Sequence, residues 1–357
     1  MQKLSGVHLV LSIVVLLCFH QSLLATPDAP PEFFSRLPFK IAQWYGLPDH
    51  WPPQTPKEPD PDAHLMVVPP RLTGGSCSPT GKYLLDISET VEVNAKSPTD
   101  RNLVFDIHDY LFTIGIGAAK WREVYLRKTS TALGGCCWYS NTDRVLLWTT
   151  GIKSSTIWVI DLKSRIVDKF TYTYRDGIYW LQPSSDGKTF LICTFGNGNK
   201  NQLFLISTRD LHSRVQICLP NGYYYDDQNE VSISPGMHEI ACRKKYDNGD
   251  ILSIYNLGTK QTLPIFSTVD STLEHASSTQ RRIVHFAWVS NGSSLFVEES
   301  ITNADKRYHS NRLWLVSKKG EKILIVSDVW IESHSSNGLT WIFCTDDHKK
   351  YYVRASK

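Results

Sequence analysis

From Leu65 to the end of the chain, apolar and polar positions follow one recurring plan. A short apolar run leads into a turn rich in Ser, Pro, Asn, Asp and Gly, a second run of about five residues follows, and a third alternates aromatic with aliphatic side chains. The turns read Ser78-Pro79-Thr80-Gly81-Lys82, Ser140-Asn141-Thr142-Asp143, Ser184-Ser185-Asp186-Gly187-Lys188, Ser234-Pro235-Gly236, Ser290-Asn291-Gly292 and Ser335-Ser336-Asn337-Gly338. With Gly81, Asp143, Gly187, Gly236, Gly292 and Gly338 as register marks, the copies recur every 44 to 62 residues. Such a period belongs to a propeller or an array. The third runs, among them Ile157-Trp158-Val159-Ile160, Leu203-Phe204-Leu205-Ile206 and Leu313-Trp314-Leu315-Val316, have the β-branched and aromatic content of strands.

Six copies predict an all-β, six-bladed β-propeller of four-stranded antiparallel blades over residues 63–357. The last copy supplies three strands before Lys357, and His64–Val68 is a lone strand ahead of the first. An N-terminal strand that completes the last blade closes the ring and covers its edge. Seven blades are the alternative, because the long first interval, with Leu111–Gly117 and Trp121–Leu126, has room for a further piece. Residues 26–62 are proline-dense, which predicts an extended segment rather than helix or central strand. Phe33, Phe34, Trp44, Tyr45 and Trp51 within it predict that it lies against the main body. Cys193, Cys242 and Cys344 each fall six residues past a mark and read as one repeated core position.

The sequence Ser-Ser-Asp-Gly-Lys at 184–188, its short following strand and the apolar-aromatic-apolar run closed by Asp161-Leu162 resemble the TolB-like, WD-repeat-like propeller repeat. The resemblance covers nearly all of residues 64–357. It implies a six-bladed β-propeller and no particular task, since such repeats serve many functions.

Charge and composition narrow the classes. Lys and Arg number 38 against 35 Asp and Glu, a formal net charge of +3. With no basic stripe, the chain lacks the electrostatic footprint of a nucleic-acid binder. Residues 1–25 combine Lys3, an apolar stretch from Leu9 to Phe19 and a small residue at Ala25. That is the pattern of a signal peptide cleaved after Ala25, which predicts a secreted or periplasmic protein. Left uncleaved, it would anchor the chain, and membrane contact would be confined to it. Cleavage leaves seven cysteines, an odd number, in a chain long enough to bury a core without staples. No disulfide framework is expected.

Motifs that carry chemistry are missing from the sequence. Neither a Gly-x-Ser-x-Gly elbow, a His-Glu-x-x-His zinc pair, a phosphate-binding loop nor an Asp-rich calcium loop occurs. No catalytic residue, metal ligand or cofactor is assigned on this basis. The expected role is a scaffold for a protein or peptide partner, with two loops at the same place in the repeat forming a binding rim. These supply Tyr174, Arg175 and Asp176, and Tyr223, Tyr224, Tyr225, Asp226 and Asp227. Tyr and Arg carry much of the binding energy at protein interfaces. The same rings would serve equally well as packing between blades. The alternative function is a propeller enzyme, a hydrolase or lyase with a metal-assisted site at the central channel built from Asp226, Asp227, Glu230, His285 and Glu298. Asn291-Gly292-Ser293 is a glycosylation sequon in a eukaryotic secretory route, and otherwise a strand-connecting turn.

Overall fold

The Ser-to-Gly turn is the unit from which each repeat is built, and its hydrogen bonds account for the sequence pattern. A computed structural model describes residues 29–48, 51, 65–66, 76–94, 104–116, 118, 122–129, 133–139, 142–149, 154–163, 166–174, 177–184, 186–194, 202–220, 223, 230–269, 279–303 and 309–356. In it the Ser184 N–H donates to the Thr189 carbonyl at 2.8 Å, the Gly187 N–H donates to the Ser184 carbonyl at 3.0 Å, and the Ser184 Oγ accepts the Thr189 N–H at 3.0 Å. Ser78, Ser234 and Ser335 repeat all three bonds. The residue closing the turn is left-handed, with φ of +73° at Gly81, +70° at Gly187, +63° at Gly292 and +64° at Gly338. At Gly338 an added Cβ would also lie 2.5 Å from the Trp288 carbonyl oxygen, so only glycine fits.

In the fourth copy the left-handed residue is Met237, with φ +58°, and not Gly236. The register of that copy therefore moves by one residue. In the second copy the equivalent bond likewise starts from Thr142, not Asp143, donating to the Tyr139 carbonyl at 3.4 Å. A slip of one residue turns a strand side chain to the opposite face. Cys193 and Cys344 keep one repeat position, but Cys242 does not share it. Cys193 looks forward from its blade and Cys242 backward from the next, and both enter the same core cluster with Leu191, Val231 and Ile240. All three thiols are buried, and the places equivalent to Cys193 hold Arg243 and Glu298.

Five blades of four antiparallel strands follow, not the six expected. Blade 1 is Leu133–Tyr139, Arg144–Thr149, Ser155–Ile160 and Ile166–Tyr172, and blade 2 is Ile178–Pro183, Thr189–Thr194, Gln202–Ser207 and Asp210–Ile217. Blade 3 is Val231–Ile233, Glu239–Tyr246, Gly249–Asn256 and Thr262–Ser267, and blade 4 is Thr279–Trp288, Ser294–Asn303, His309–Ser317 and Lys322–Ser327. Blade 5 is Val329–His334, Thr340–Thr345, Lys350–Ala355 and, from the other end of the chain, Ile41–Gly46. The first repeat departs from the rule. Its strands Tyr83–Asn94 and Val104–Gly115 are each 12 residues long, twice the length of most blade strands. One short inner strand cannot cover that length, so Ser76–Cys77 pairs with its start and Leu65–Met66 with its far end, and with Arg122–Thr129 outermost the sheet has five strands. Apolar layers between successive sheets form the core. Between blades 4 and 5, Phe296 meets Trp341 edge-on at 4.8 Å.

Closure by an N-terminal strand uses a different segment from the one expected. Leu65–Met66, the described part of His64–Val68, pairs with Tyr83–Asn94 and not with blade 5. Ile41–Gly46, inside the proline-dense stretch, pairs with Lys350–Ala355 through Trp44 opposite Val353 and Tyr45 opposite Tyr352, whose rings stack at 4.6 Å. Ahead of it the short 3₁₀ turn Glu32–Arg36 buries Phe33 and Phe34, and the Arg36 Nη1 donates to the Ile325 carbonyl of blade 4. Beyond it Leu47 and Trp51 pack on Cys77 and Leu84 of the five-stranded sheet, and the Trp51 Nε1 donates to the Ala118 carbonyl at 3.1 Å. One strap thus ties three sheets across the point where the ring closes. Trp51→Ala should lower the unfolding free energy by about 3 kcal/mol. Chemical denaturation checks this, and a loss under about 1 kcal/mol would show that the strap does not hold the closure.

Candidate functional site

In a propeller of this topology the connections from each outer strand to the next inner strand share one face with the turns between second and third strands. The Ser-to-Gly turns lie on the other face. Near the first face the inner strands of blades 1, 2, 4 and 5 each carry a β-bulge, at Leu133/Gly135, Ile178/Trp180, Ile283/His285 and Ile331/Ser333. A bulge takes a backbone N–H out of its ladder, and a buried N–H needs a partner. The preceding blade supplies it. The Ile178 N–H donates to the Ser155 Oγ at 3.3 Å, the Ile283 N–H to the Asp250 Oδ2 at 2.8 Å, and the Ile331 N–H to the Glu298 Oε2 at 3.1 Å.

The buried charges between blades 3, 4 and 5 belong to this system. Arg243 donates to the Ile283 carbonyl and pairs with Glu230, which also receives Lys245. Arg282 pairs with Asp250 at 3.1 Å. Glu299 accepts from the Arg281 Nε at 2.6 Å and the Trp314 Nε1 at 2.9 Å. Glu298 receives the Ile331 N–H and, among the described residues, has no ion-pair partner. Burial pushes its carboxyl up to about 7 against the ordinary 4.5, the Ile331 N–H pulls the other way, and Glu332 adds to the rise. Beside it in the ladder, His285 lies 5.3 Å from the His334 ring. Burial brings His285 down to about 3, with His334 and Arg243 adding to the fall. His334 is lowered by burial as well, although its Nδ1 donates to the Ser335 carbonyl at 3.1 Å. Both imidazoles are therefore neutral near pH 7.

These geometries place three of the residues weighed for a channel enzyme. Glu230, His285 and Glu298 are all in the blade junctions, and Asp226 and Asp227 lie outside the described residues. Among the described residues, no group of three or more His, Cys, Asp or Glu side chains is placed to hold a metal ion.

Of the expected rim, two residues are described. Tyr174 stands at the end of blade 1 with its ring 5.0 Å from Tyr172 and its hydroxyl donating to the His212 carbonyl of blade 2. The Arg214 guanidinium sits 3.8 Å above the Tyr174 ring and 4.1 Å from that of Phe204, and donates to the Tyr172 hydroxyl at 2.9 Å. The Tyr223 ring enters the core cluster between blades 2 and 3, and its hydroxyl donates to the Ser253 Oγ at 2.8 Å. Both rings cement neighbouring blades. Arg175, Asp176, Tyr224, Tyr225, Asp226 and Asp227 lie outside the described residues, as do residues 1–25. Asn291 is exposed on the opposite face, where its Oδ1 accepts from the Ser293 N–H at 2.9 Å and from the Ser293 hydroxyl at 2.8 Å.

Sequence reasoning missed two things. Ser155, Arg243 and Asp250 were not singled out, although aligning the copies on Met237 would have put Arg243 and Glu298 at one position. It also missed a groove of about 500 Å³ on the loop face, where the Glu32–Arg36 turn, the connection from blade 4 to blade 5 and the turn after Thr345 converge. No local motif marks that groove, because its walls are far apart in the chain.

No family model matches this chain, and no curated protein matches it. Solved structures do resemble it. One described as TolB from Agrobacterium tumefaciens is 11% identical over 67% of this chain and 94% of its own, with a TM-score of 0.36. An uncharacterised protein of Listeria monocytogenes is 10% identical over 78% of this chain and 81% of its own, with a TM-score of 0.44. The β-propeller domain of Cps50 from Myceliophteria thermophila is 10% identical over 82% of this chain and all (100%) of its own, with a TM-score of 0.38. At these values the likenesses add nothing to the fold that the strands already display.

The Glu298 contact makes a pH prediction. A carboxyl raised from 4.5 to about 7 on folding contributes stability fully below pH 4.5 and loses it as the pH rises through 7. Glu298→Gln keeps an acceptor for the Ile331 N–H and carries no charge. The variant should match the parent near pH 4.5 and exceed it in stability by on the order of 1 kcal/mol at pH 8. Denaturation curves at the two pH values decide, and an equal difference at both would remove the buried carboxyl from the account.

Proposed function

We propose that this chain is an exported interaction scaffold that holds a protein or peptide partner on the face formed by its outer-to-inner strand connections. The supporting observation is the anchoring of Tyr174 and Tyr223. Each ring is fixed at a blade junction, Tyr174 under Arg214 and Tyr223 against Ser253, so the segments 175–176 and 224–227 leave from rigid points. Preorganised attachment reduces the ordering cost of binding. The four buried carboxylates described, Glu230, Asp250, Glu298 and Glu299, each hold backbone or side chains between or within blades, which favours the scaffold over a channel-centred enzyme. Export rests on the pattern of residues 1–25. A glycan at Asn291, where the route allows one, would sit on the opposite face and leave the docking face clear.

The anchoring also decides which residues to substitute. Tyr223 is part of the core, so its removal would confuse stability with binding. The informative variant is Tyr224→Ala with Tyr225→Ala, Tyr223 being retained. Affinity capture from the extracytoplasmic fraction of the native source should lose its partners with this double variant by about tenfold, the scale of one or two interface anchors. Undiminished capture of the same partners would sink the tyrosine rim.

A further inference from the structure

The groove between blades 4 and 5 occupies the same place in the repeat as the two tyrosine-bearing connections. Here the connection is a single residue, Asp328, between strands ending at Ser327 and beginning at Val329. The groove combines apolar walls from Phe33, Val326 and Val329 with the acidic residues Asp328, Asp346 and Asp347. Its charges are unevenly matched. Arg36 is paired with Glu32 at 3.4 Å, and Asp347 with Lys349 at 2.7 Å. Asp328 and Asp346 have no ion-pair partner among the described residues.

The acidic side is built before any partner arrives. The Asp328 N–H donates to the Asn311 carbonyl at 2.7 Å, and the Asp346 N–H donates to the Asp328 carbonyl at 3.0 Å, which locks the two turns together. Asp328 is left-handed at φ +59°, a conformation Asp tolerates, and its Oδ1 accepts from the Ser310 hydroxyl at 2.8 Å. A preformed concave apolar surface flanked by unneutralised carboxylates complements a segment with an apolar side chain and a cation next to it.

We propose that this groove docks a peptide segment of a partner protein in which Lys or Arg adjoins an apolar residue. The proposal rests on the scaffold reading and names one site and one partner chemistry for it. The apolar side chain seats against Phe33, Val326 and Val329, and the cation pairs with Asp328 and Asp346. Attraction between this cation and the two exposed carboxylates makes association salt-dependent.

A displayed library of random peptides of about 12 residues, long enough to cover one such groove in an extended form, is selected against the full chain. Enriched peptides are then synthesised with fluorescein for polarisation measurements. Enrichment of Lys or Arg beside apolar residues is expected, as is weakening by at least about tenfold on Asp328→Asn with Asp346→Asn, the scale of a lost charge pair. Asn accepts the left-handed conformation and the Ser310 hydroxyl, so the double variant should keep the parent's melting temperature. Asp346→Lys on its exposed turn is a second variant that reverses charge, and it should weaken the same peptides further. Enriched peptides without a basic residue, or unchanged affinity for both variants, would overturn the groove. Peptides insensitive to these changes but lost on Tyr224→Ala with Tyr225→Ala would overturn it while leaving the scaffold reading standing. No enrichment at all would overturn both.

Discussion

Everything in this molecule depends on a ring of sheets meeting its own beginning. An open end would expose a strand edge and one apolar sheet face, and the last sheet has only three strands of its own to offer. The chain solves both problems with residues 29–51. Ile41–Gly46 supplies the missing edge strand, Phe33 and Phe34 cover the side toward blade 4, and Trp51 covers the side toward the five-stranded sheet. Hydrogen bonds from Arg36 and Trp51 fix both flanks to backbone carbonyls. A proline-dense segment suits this task, because residues that cannot join helices are free to be laid down as a strap with one strand in it.

Closure alone does not tie each blade to the next. Three inner-strand bulges leave N–H groups that the preceding blade captures. Ser155, Asp250 and Glu298 do so with different chemistries in equivalent settings. The hydroxyl costs little to bury. Asp250 is balanced by Arg282, whereas Glu298 has no ion-pair partner among the described residues and holds its proton more readily, with the Ile331 N–H as its hydrogen-bond donor. A buried charged group stays in place only when paired, hydrogen-bonded or neutralised, and the three junctions illustrate all three routes. At the repeat position of Glu298, Cys193 and Cys344 are small buried fillers instead.

Legibility followed range. The Ser-to-Gly turn was readable because all three of its hydrogen bonds lie within six residues, and the antiparallel meander follows from those turns. Register was readable only where glycine marked the left-handed residue. At Met237 the chain uses a side chain that tolerates the conformation poorly, and the nearest glycine misled by one position. That single step misplaced Cys242 and hid the equivalence of Arg243 with Glu298. The blade count failed for a related reason: the first copy has the turn of a blade but strands too long for one inner partner. The closing strand was assigned to His64–Val68 by proximity, whereas Ile41–Gly46 has the aromatic pair that stacks on Tyr352 and packs on Phe34. As for the rim, the sequence puts the loops of Tyr174 and Tyr223 at one place in the repeat, and it could not tell a ring that anchors a loop from one that meets a partner.

The two faces of the ring now have a physical reason to differ. On one, four of the turns between first and second strands begin at Ser78, Ser184, Ser234 and Ser335 and bond internally, as at Ser335, where the hydroxyl serves Asn337 and the Thr340 N–H together. On the other, connections vary from the single Asp328 to the long segment before Val231, while the bulges and pins beneath hold the strand ends still. Variation in length above a fixed platform is what lets one repeat present unlike surfaces at successive junctions. Residues on this face can therefore change without disturbing the pins, provided that changes stop short of Tyr174, Tyr223 and the carboxylates that hold Ile283 and Ile331.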